Sequence, residues 1–298
     1  MIDAKDWAYA AGWMAVRAVP ESAARAAFDA GARYAARRGG PDQLRKNLAR
    51  VIGATPPDVP DALMRASLAS YARYWREAFR LPTMNLREVA AQIQEVILGP
   101  ENLEGALAAG RGAVVALPHS GNWDMAGVWL AQTLGTFTTV AERLKPESLY
   151  RRFIRYRESL GFEVLPLSGG DRPPFEVLCE RLRDNRVVCL MGERDLTRSG
   201  VEVEFFSEAT LMPAGPAKLA IETGAPLFSA HCWFDGDGWG ISIHPEVDYS
   251  SGDVSAVTQA LADRFATNIA AHPEDWHMLQ PQWLADLPAG RRARLREA

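Results

Sequence analysis

Cysteine is scarce in this chain, which has only three among 298 residues, Cys179, Cys189 and Cys232. They are widely spaced, and each lies in an apolar run. The sequence contains neither a CxxC pair nor a cluster of histidine and cysteine at the spacing of metal ligands. Isolated cysteines in apolar runs are typical of buried free thiols in a reducing compartment. We therefore expect no disulfide framework and no metal.

Several motifs of well-defined chemistry are also missing. There is no Walker loop, and Gly236–Gly240 (GDGWG) is typical of a hairpin turn rather than of a dinucleotide fingerprint. No G-x-S-x-G nucleophile elbow occurs anywhere in the chain. The net charge of −4 argues against a general nucleic-acid binder. We expect a protein that uses no cofactor and binds no nucleic acid.

Long apolar runs are missing too. The first residues, Met1–Asp6, lack the basic start and the long apolar block of a signal peptide. The longest uncharged apolar runs fall far short of the ~20 residues that a membrane-spanning helix needs. These patterns predict a protein that is cytosolic or peripheral to a membrane.

The first 80 or so residues are predicted to be helical, and they are rich in aromatic and basic side chains although the whole chain is acidic. One interpretation is a helical cap that packs on the core and exposes a solvated basic face. The other is an amphipathic region on an anionic bilayer, with Trp7 and Trp13 at the level of the lipid headgroups. The two interpretations are compatible.

From about residue 81 to residue 298, predicted helices and strands alternate. This pattern is typical of an α/β fold in which helices flank a central twisted sheet. We predict one domain over residues 1–298, with the helical region packed on this α/β core. In such folds, functional groups gather at the carboxyl ends of the strands.

One such strand end, within Ala113–Asp124 (AVVALPHSGNWD), is the main candidate for chemistry. The apolar run Ala113–Leu117 is typical of a buried strand, which ends at Pro118. His119 lies in the turn that follows, and Asp124 lies near the first turn of a predicted helix. A histidine with a carboxylate close enough to orient it is the arrangement of a general base. We predict that Asp124 fixes the tautomer of His119, which then acts directly on a substrate hydroxyl.

Two further acidic residues follow predicted strands. Glu193 follows the apolar run Arg186–Met191, and Glu142 follows Phe137–Ala141. One interpretation of each is a solvated turn held by an ion pair with the adjacent arginine. The other is a carboxylate at the rim of the site that accepts hydrogen bonds from substrate hydroxyls.

The segment His119–Asp124 (HSGNWD) matches the His-x4-Asp motif of the glycerolipid and lysophospholipid acyltransferase superfamily. Four later stretches resemble other blocks of its bacterial glycolipid (lipid A-type) branch, namely Arg151–Phe162, Gly192–Asp195, Phe205–Ala220 and His272–Trp276. Over nearly its whole length, the chain resembles the actinobacterial enzymes that acylate phosphatidylinositol mannosides. Glycerol-phosphate acyltransferases usually carry asparagine in place of Pro118, and lipid A acyltransferases often carry glutamate in place of Asp124.

This resemblance implies transfer of a long acyl chain, typically palmitoyl, from acyl-CoA to the 6-hydroxyl of the mannose on O-2 of inositol. It implies a peripheral protein at the cytoplasmic face of the plasma membrane. Glu142, Glu193 and His277 then become candidates for binding the acceptor sugar, and Arg157 for binding a charged part of either substrate. The apolar helix that begins near Met212 is a candidate for lining the acyl groove.

Two other functions stay open on the sequence. One is acylation of another lipid acceptor, such as a lysophospholipid or a lipid A-like sugar. The other is a non-catalytic glycolipid-binding protein that uses the same pocket. For an enzyme, backbone N–H groups near Gly121 and Asn122, or at the start of the next helix, are candidates for stabilising the oxyanion. We expect a monomer.

Overall fold

The computed structural model of the protein describes residues 12–143, 146–195, 197 and 199–296. Its helices are α1 (residues 12–18), α2 (Glu21–Arg37), α3 (Asp42–Val51), α4 (Asp61–Arg80), α5 (Leu86–Val96), α6 (Pro100–Ala108), α7 (Trp123–Thr133), α8 (Glu147–Glu158), α9 (Pro174–Arg183), α10 (Gly215–Thr223), α11 (Val254–Ala271) and α12 (Ala289–Arg296). Short 3₁₀ turns are formed by Pro56–Asp58, Leu81–Thr83, Pro273–Asp275 and Leu284–Asp286.

A six-stranded sheet forms the centre of the fold. Its strands are β1 (Ala113–Leu117), β2 (Thr138–Ala141), β3 (Glu163–Pro166), β4 (Val187–Met191), β7 (Leu227–Asp235) and β8 (Gly238–Ile243). They lie in the order β3-β2-β4-β1-β7-β8. All neighbours in the sheet are parallel except β7 and β8, which pair as an antiparallel hairpin. The predicted α/β class, with a central sheet flanked by helices, is confirmed.

Strand β1 shows why the sheet is covered on both faces. All five of its residues are buried. Val115 and Leu117 point into the apolar cluster formed with helices α5 to α8, whereas Val114 and Ala116 point into the cluster formed with α9 to α11. Side chains alternate along a strand, so a continuous apolar run buries side chains on both faces. Full burial of one valine or leucine contributes about 1.5–3 kcal/mol to stability.

The N-terminal helices pack on the edge of this core. Helix α2 lies against α4, and the indole of Trp13 in α1 is only 7% exposed. Its ring lies 5.0 Å from the ring of Phe79 and 5.5 Å from that of Tyr156, and its Nε1–H donates to the Phe79 carbonyl. The prediction that Trp13 lies among lipid headgroups is therefore wrong, because the indole fills the gap between α1, α4 and α8. Trp7 lies outside the described residues.

The structure contains two strands outside the central sheet that the sequence patterns did not predict. Strands β5 (Val201–Phe205) and β6 (Glu208–Met212) form a separate antiparallel hairpin. The two residues that connect them, Phe206 and Ser207, have φ values of +50° and +61°. Such turns usually contain glycine or asparagine, so this one lacks the usual sequence signal.

Across the described residues, no helix has both the length and the apolar character that crossing a bilayer requires.

Strand β3 is attached to its surroundings by a half-buried carboxylate. Glu163 accepts hydrogen bonds from Thr138 of β2 and from Arg181 of α9, and Arg186 lies 3.2 Å away. The hydrogen bonds from Arg181, opposed by partial burial, lower the pKa of Glu163 from 4.5 to about 2. A carboxyl whose pKa is lowered on folding stabilises the folded state above its unfolded pKa.

We expect Glu163→Gln to destabilise the protein at pH 7 by at most about 3 kcal/mol. This difference should shrink as the pH falls from about 4.5 towards about 2, because the wild-type carboxyl then becomes protonated in both states. Urea denaturation of both proteins across this range measures the difference. Glu176→Gln is the control, since its carboxylate is 61% exposed and lies 3.9 Å from Arg172. A difference for Glu163→Gln that stays constant with pH would contradict the assignment.

Candidate active site

The catalytic candidates meet where two neighbouring parallel strands end. Leu117 of β1 is paired with Met191 of β4, so the residues two positions further on, His119 and Glu193, lie side by side. Nδ1 of His119 lies 2.6 Å from Oε1 of Glu193. The backbone N–H of His119 donates to the same oxygen at 2.7 Å. One carboxylate oxygen therefore fixes both the main chain and the ring of His119.

The Glu193 side chain is completely buried. Its second oxygen, Oε2, has no hydrogen-bond partner among the described residues. Burial on its own raises the pKa of Glu193, but the adjacent His119 outweighs this effect and holds the pKa below 4.5. The expectation of a carboxylate at a solvated rim is wrong, because the chain after β4 turns inwards beneath His119.

The predicted pairing of Asp124 with His119 is also wrong. Asp124 lies in the first turn of α7 and is 2% exposed. Its carboxylate accepts hydrogen bonds from the Tyr74 hydroxyl, the Tyr156 hydroxyl and Nε of Arg157, at 3.2–3.3 Å. The turn of the helix thus directs Asp124 towards α4 and α8. Glu193, and not Asp124, lies beside the imidazole of His119 and orients it.

The cluster around Asp124 is a charge pair supported by two phenols. Burial on its own lowers the pKa of the Arg157 guanidinium, but the Asp124 carboxylate raises it, and the net direction is upward. Burial first, and the charge of Asp124 second, raise the pKa values of Tyr74 and Tyr156 well above 10.0. Both phenols therefore stay protonated at neutral pH and donate to the carboxylate. The sequence pattern gave no signal for either tyrosine.

The tautomer of His119 follows from its partner. An ionised carboxylate can only accept hydrogen bonds, so the neutral imidazole carries its proton on Nδ1 and donates it to Glu193. The lone pair is then on Nε2. Because the His119 side chain is 39% exposed, a substrate hydroxyl can approach it. This is the geometry of a general base that is oriented by a buried acid.

The loop after His119 needs glycine at one position. Gly121 has a φ of +54°, and a Cβ atom there would lie 2.6 Å from the carbonyl carbon of Cys232. The Gly121 N–H donates to the Asp275 carbonyl, and the His277 N–H donates to the His119 carbonyl. The first of these bonds occupies the Gly121 N–H, which removes it as a candidate for stabilising an oxyanion.

The side chain of Asn122 caps α7 by accepting from the Met125 N–H. Its Nδ2 donates to Oε2 of Glu77, which also accepts from Nε1 of Trp239. Glu77 is 5% exposed and forms ion pairs with Arg73 and Arg76 through its other oxygen. This carboxylate of α4 was not identified from the sequence, although it holds the start of α7 in place.

The remaining predicted site residues lie at different depths. Glu142 follows β2 at the same edge of the sheet and is exposed. His277 is 8% exposed, and its ring lies 6.1 Å from that of Trp123, which in turn lies 5.2 Å from the ring of His119. The structure therefore places the rings of His277 and His119 near the same indole, that of Trp123, whereas Glu142 is exposed at the edge of the sheet.

An apolar cavity of about 90 Å³ lies beside the site. Its lining includes Leu117 and Trp123, which are close to His119 in the chain, together with Asp124 and Arg157. The lining continues with side chains from α6, α7 and the strands, among them Leu103, Val115, Trp129, Phe162, Ile241 and Ile243. Helix α10, which includes the predicted groove-lining residues after Met212, packs on the opposite face of the sheet. The helix that was predicted to line an acyl groove therefore does not line this cavity, since sequence does not tell which face of the sheet a helix covers.

One group of side chains resembles a metal site. Atoms of His272, Glu274 and Asp275 that are able to bind a metal lie within 4.8 Å of one another. Both carboxylate oxygens of Asp275 already accept hydrogen bonds, from Ser70 and from the Phe234 N–H. These bonds account for Asp275 as a structural residue, and we assign no metal to the group.

Comparison with known proteins defines the class. A sequence model of the bacterial lipid A biosynthesis acyltransferase family matches residues 1–285. The chain belongs to this family of acyltransferases.

Individual relatives agree. A phosphatidylinositol mannoside acyltransferase of Mycobacterium tuberculosis (strain CDC 1551 / Oshkosh) is 75% identical over 293 residues, which cover 98% of this chain and 93% of that protein. A protein of the same name from Mycolicibacterium smegmatis is 73% identical over 290 residues, which cover 97% and 95%. The resemblance inferred from the motifs is confirmed.

We expect Asp124→Asn to lower the free energy of unfolding by about 3 kcal/mol, because it leaves the half-buried charge of Arg157 without its partner. The double variant Asp124→Asn/Arg157→Met, which removes both charges, should recover part of this loss. Urea denaturation measures both values. The ¹⁵N signals of His119 should keep their tautomer pattern, since Nδ1 donates to Glu193. A changed tautomer in Asp124→Asn would contradict this arrangement.

Proposed function

We propose that the protein transfers a long acyl chain, palmitoyl, from acyl-CoA to a phosphatidylinositol mannoside, at the 6-hydroxyl of the mannose on O-2 of inositol. The family and the names of the relatives support an acyltransferase of this kind. The observation that carries the mechanism is the 2.6 Å contact between His119 Nδ1 and the buried Glu193 carboxylate. Because this contact occupies Nδ1, Nε2 of the partly exposed His119 ring is free to act as the base.

In the proposed reaction, Nε2 of His119 takes the proton of the mannose hydroxyl as its oxygen attacks the thioester carbonyl. A C–O bond forms, and the C–S bond breaks when the tetrahedral intermediate collapses. The coenzyme A thiolate leaves and takes the proton from the imidazolium. Glu193 stabilises that imidazolium while it exists. Atoms and charges balance without a covalent enzyme intermediate.

The acceptor is proposed to lie between the base and the rim. His277, whose ring lies near Trp123, and the exposed Glu142 are the two polar groups that accept hydrogen bonds from sugar hydroxyls in the proposed complex. Arg157, with 22% of its side chain exposed, binds a charged part of either substrate. Because its Nε pairs with Asp124, only the rest of the Arg157 guanidinium is available to the substrate. The Asn122 N–H and the first turn of α7 are the remaining candidates for stabilising the oxyanion.

The apolar cavity is proposed to hold the acyl chain. Its lining is mostly apolar, and it includes Trp123, which packs on His119. Its volume of about 90 Å³ is below the roughly 300 Å³ at which ligand pockets usually start. A long chain therefore enters only if the lining side chains move apart.

We expect His119→Ala to lower the rate of acyl transfer by roughly 10²–10⁴-fold. Glu193→Gln should have an effect of similar order, because a neutral amide does not stabilise the imidazolium. The assay follows free thiol from palmitoyl-CoA together with mass spectrometry of the acylated mannoside.

Glu176→Gln, an exposed carboxylate on α9, serves as the control and should keep the wild-type rate. Undiminished transfer by His119→Ala would refute the mechanism. Release of thiol that increases with a lysophospholipid but not with the mannoside would establish a different acceptor. No thiol release under any condition would indicate a glycolipid-binding protein without catalysis.

We also propose that the N-terminal helices bind the cytoplasmic face of the plasma membrane. Met14 and Val19 are 57% and 39% exposed although they are apolar. Three exposed arginines, Arg33, Arg37 and Arg38, lie on or just after α2. Helix α2 packs on α4, which borders the site through Tyr74 and Glu77. A membrane on this side is close to the proposed acceptor.

A triple variant of Arg33, Arg37 and Arg38 to Gln should weaken binding to anionic phospholipid vesicles by roughly 10²-fold, at about 1 kcal/mol for each arginine. Vesicle sedimentation at low salt measures the partition coefficient. The matched control replaces three exposed basic residues of α9 to α11, Arg183, Lys218 and Arg264, with Gln. Equal weakening by both triple variants would show that net charge, not this surface, governs binding.

A further inference from the structure

A buried series of hydrogen bonds lies behind His277. The Ser70 hydroxyl of α4 lies 2.6 Å from Oδ1 of Asp275 and 2.8 Å from Nε2 of His277. Ser70, Asp275 and His277 are 7%, 3% and 8% exposed. The mechanism above uses His277 alone, so the two residues behind it need an explanation of their own.

The direction of these bonds follows from the chemistry of each group. The Asp275 carboxylate also accepts from the Phe234 N–H, and in its ionised form it can only accept. The Ser70 O–H therefore donates to Asp275, and the lone pair of Ser70 accepts from Nε2–H of His277. The ring is neutral at pH 7, because burial first and the adjacent His119 second lower the pKa of His277 to about 3. A neutral ring that is protonated on Nε2 carries a bare lone pair on Nδ1.

That lone pair has no hydrogen-bond donor among the described residues, although Nδ1 is buried. Buried polar atoms are rarely left without a partner, and such an atom in a native structure requires an explanation. The position of the ring provides one. His277 follows the strand-like pairing of Ser120 with Trp276, and its own N–H donates to the His119 carbonyl at 2.8 Å. These bonds place the main chain of His277 beside that of the catalytic base, and both histidine rings lie near Trp123, at 6.1 Å and 5.2 Å between ring centroids.

We infer that Ser70 and Asp275 are positioning residues that hold His277 in the Nε2–H tautomer, so that Nδ1 accepts a hydrogen bond from a hydroxyl of the acceptor sugar. The last step rests on the proposed function, whereas the tautomer does not. A sugar offers adjacent hydroxyl groups, so one can bond to His277 while its neighbour is deprotonated by His119. Without Ser70, the ring is free to carry its proton on Nδ1. Nδ1 then has no lone pair with which to accept a hydrogen bond from the sugar hydroxyl.

The matched control lies on the same helix. Ser67 is one turn before Ser70 in α4, it is 2% exposed, and its hydroxyl has no hydrogen-bond partner among the described residues. Ser67→Ala therefore removes an equally buried hydroxyl from α4 without touching His277. Ser70→Thr keeps the hydroxyl and serves as the conservative variant.

The first measurement is ¹⁵N NMR of histidine-labelled full-length protein, in which His277→Gln identifies the His277 signals among the five histidines by their loss. We expect the Nε2–H pattern in the wild type, in Ser67→Ala and in Ser70→Thr, and a mixture of tautomers in Ser70→Ala. A short-chain phosphatidylinositol mannoside should shift the Nδ1 signal of the wild type. An Nδ1–H pattern in the wild type would overturn the inference even if Ser70→Ala does not fold.

The second measurement is steady-state kinetics. Ser70→Ala should raise the KM for the mannoside roughly tenfold, about the value of one hydrogen bond, and leave the KM for palmitoyl-CoA unchanged. Ser67→Ala should change neither, and Ser70→Thr should restore the KM for the mannoside. Equal effects of Ser70→Ala and Ser67→Ala would overturn the positioning role. If the mannoside is not acylated at all, the proposed function fails, while the NMR pattern still decides the tautomer.

Discussion

The two hydrogen bonds from His119 to the buried carboxylate of Glu193 are the constraint on which the rest of the site depends. Burying a carboxylate costs several kcal/mol in effective terms, and Oε2 has no hydrogen-bond partner among the described residues to offset that cost. Both donors to Oε1 belong to His119, one from the main chain and one from the ring. The carboxylate therefore fixes the position of the residue and the tautomer of its imidazole together. Burial of the Glu193 carboxylate thus lowers the stability of the fold at the position where this carboxylate orients the base.

Three buried acidic residues also hold the loop that follows His119 and the start of α7. The Glu77 carboxylate accepts from Asn122 at the start of α7, and the Asp124 carboxylate, in the first turn of that helix, accepts from Arg157. The backbone carbonyl of Asp275 accepts from the Gly121 N–H in the loop. Each acid comes from a different part of the chain. Long-range anchors of this kind keep a loop in one geometry at the moment of reaction, which is the main requirement for electrostatic catalysis.

Local sequence signals are enough to predict that His119 and Glu193 both follow buried strands. They do not reveal that β1 and β4 are neighbours, because the order of parallel strands is set by long-range packing. The carboxylate nearest in sequence, Asp124, therefore looks like the partner of His119, although α7 turns it towards α8. The hairpin of β5 and β6 escapes prediction for another reason. Its turn residues Phe206 and Ser207 adopt positive φ without glycine or asparagine.

The N-terminal helices are connected to the chemistry by packing. Trp13 of α1 lies edge-on to Tyr156, and the hydroxyl of Tyr156 donates to Asp124. Asp124 in turn lies in the first turn of α7, directly after the loop that carries His119, and it lines the apolar cavity. An aromatic residue near the start of the chain thus supports the part of the cavity wall that Asp124 forms. Because interiors are close-packed and transmit strain, a displacement of α1 is felt at that wall. The same indole that is too deeply buried to touch a bilayer is therefore the physical connection between the proposed membrane-binding helices and the site.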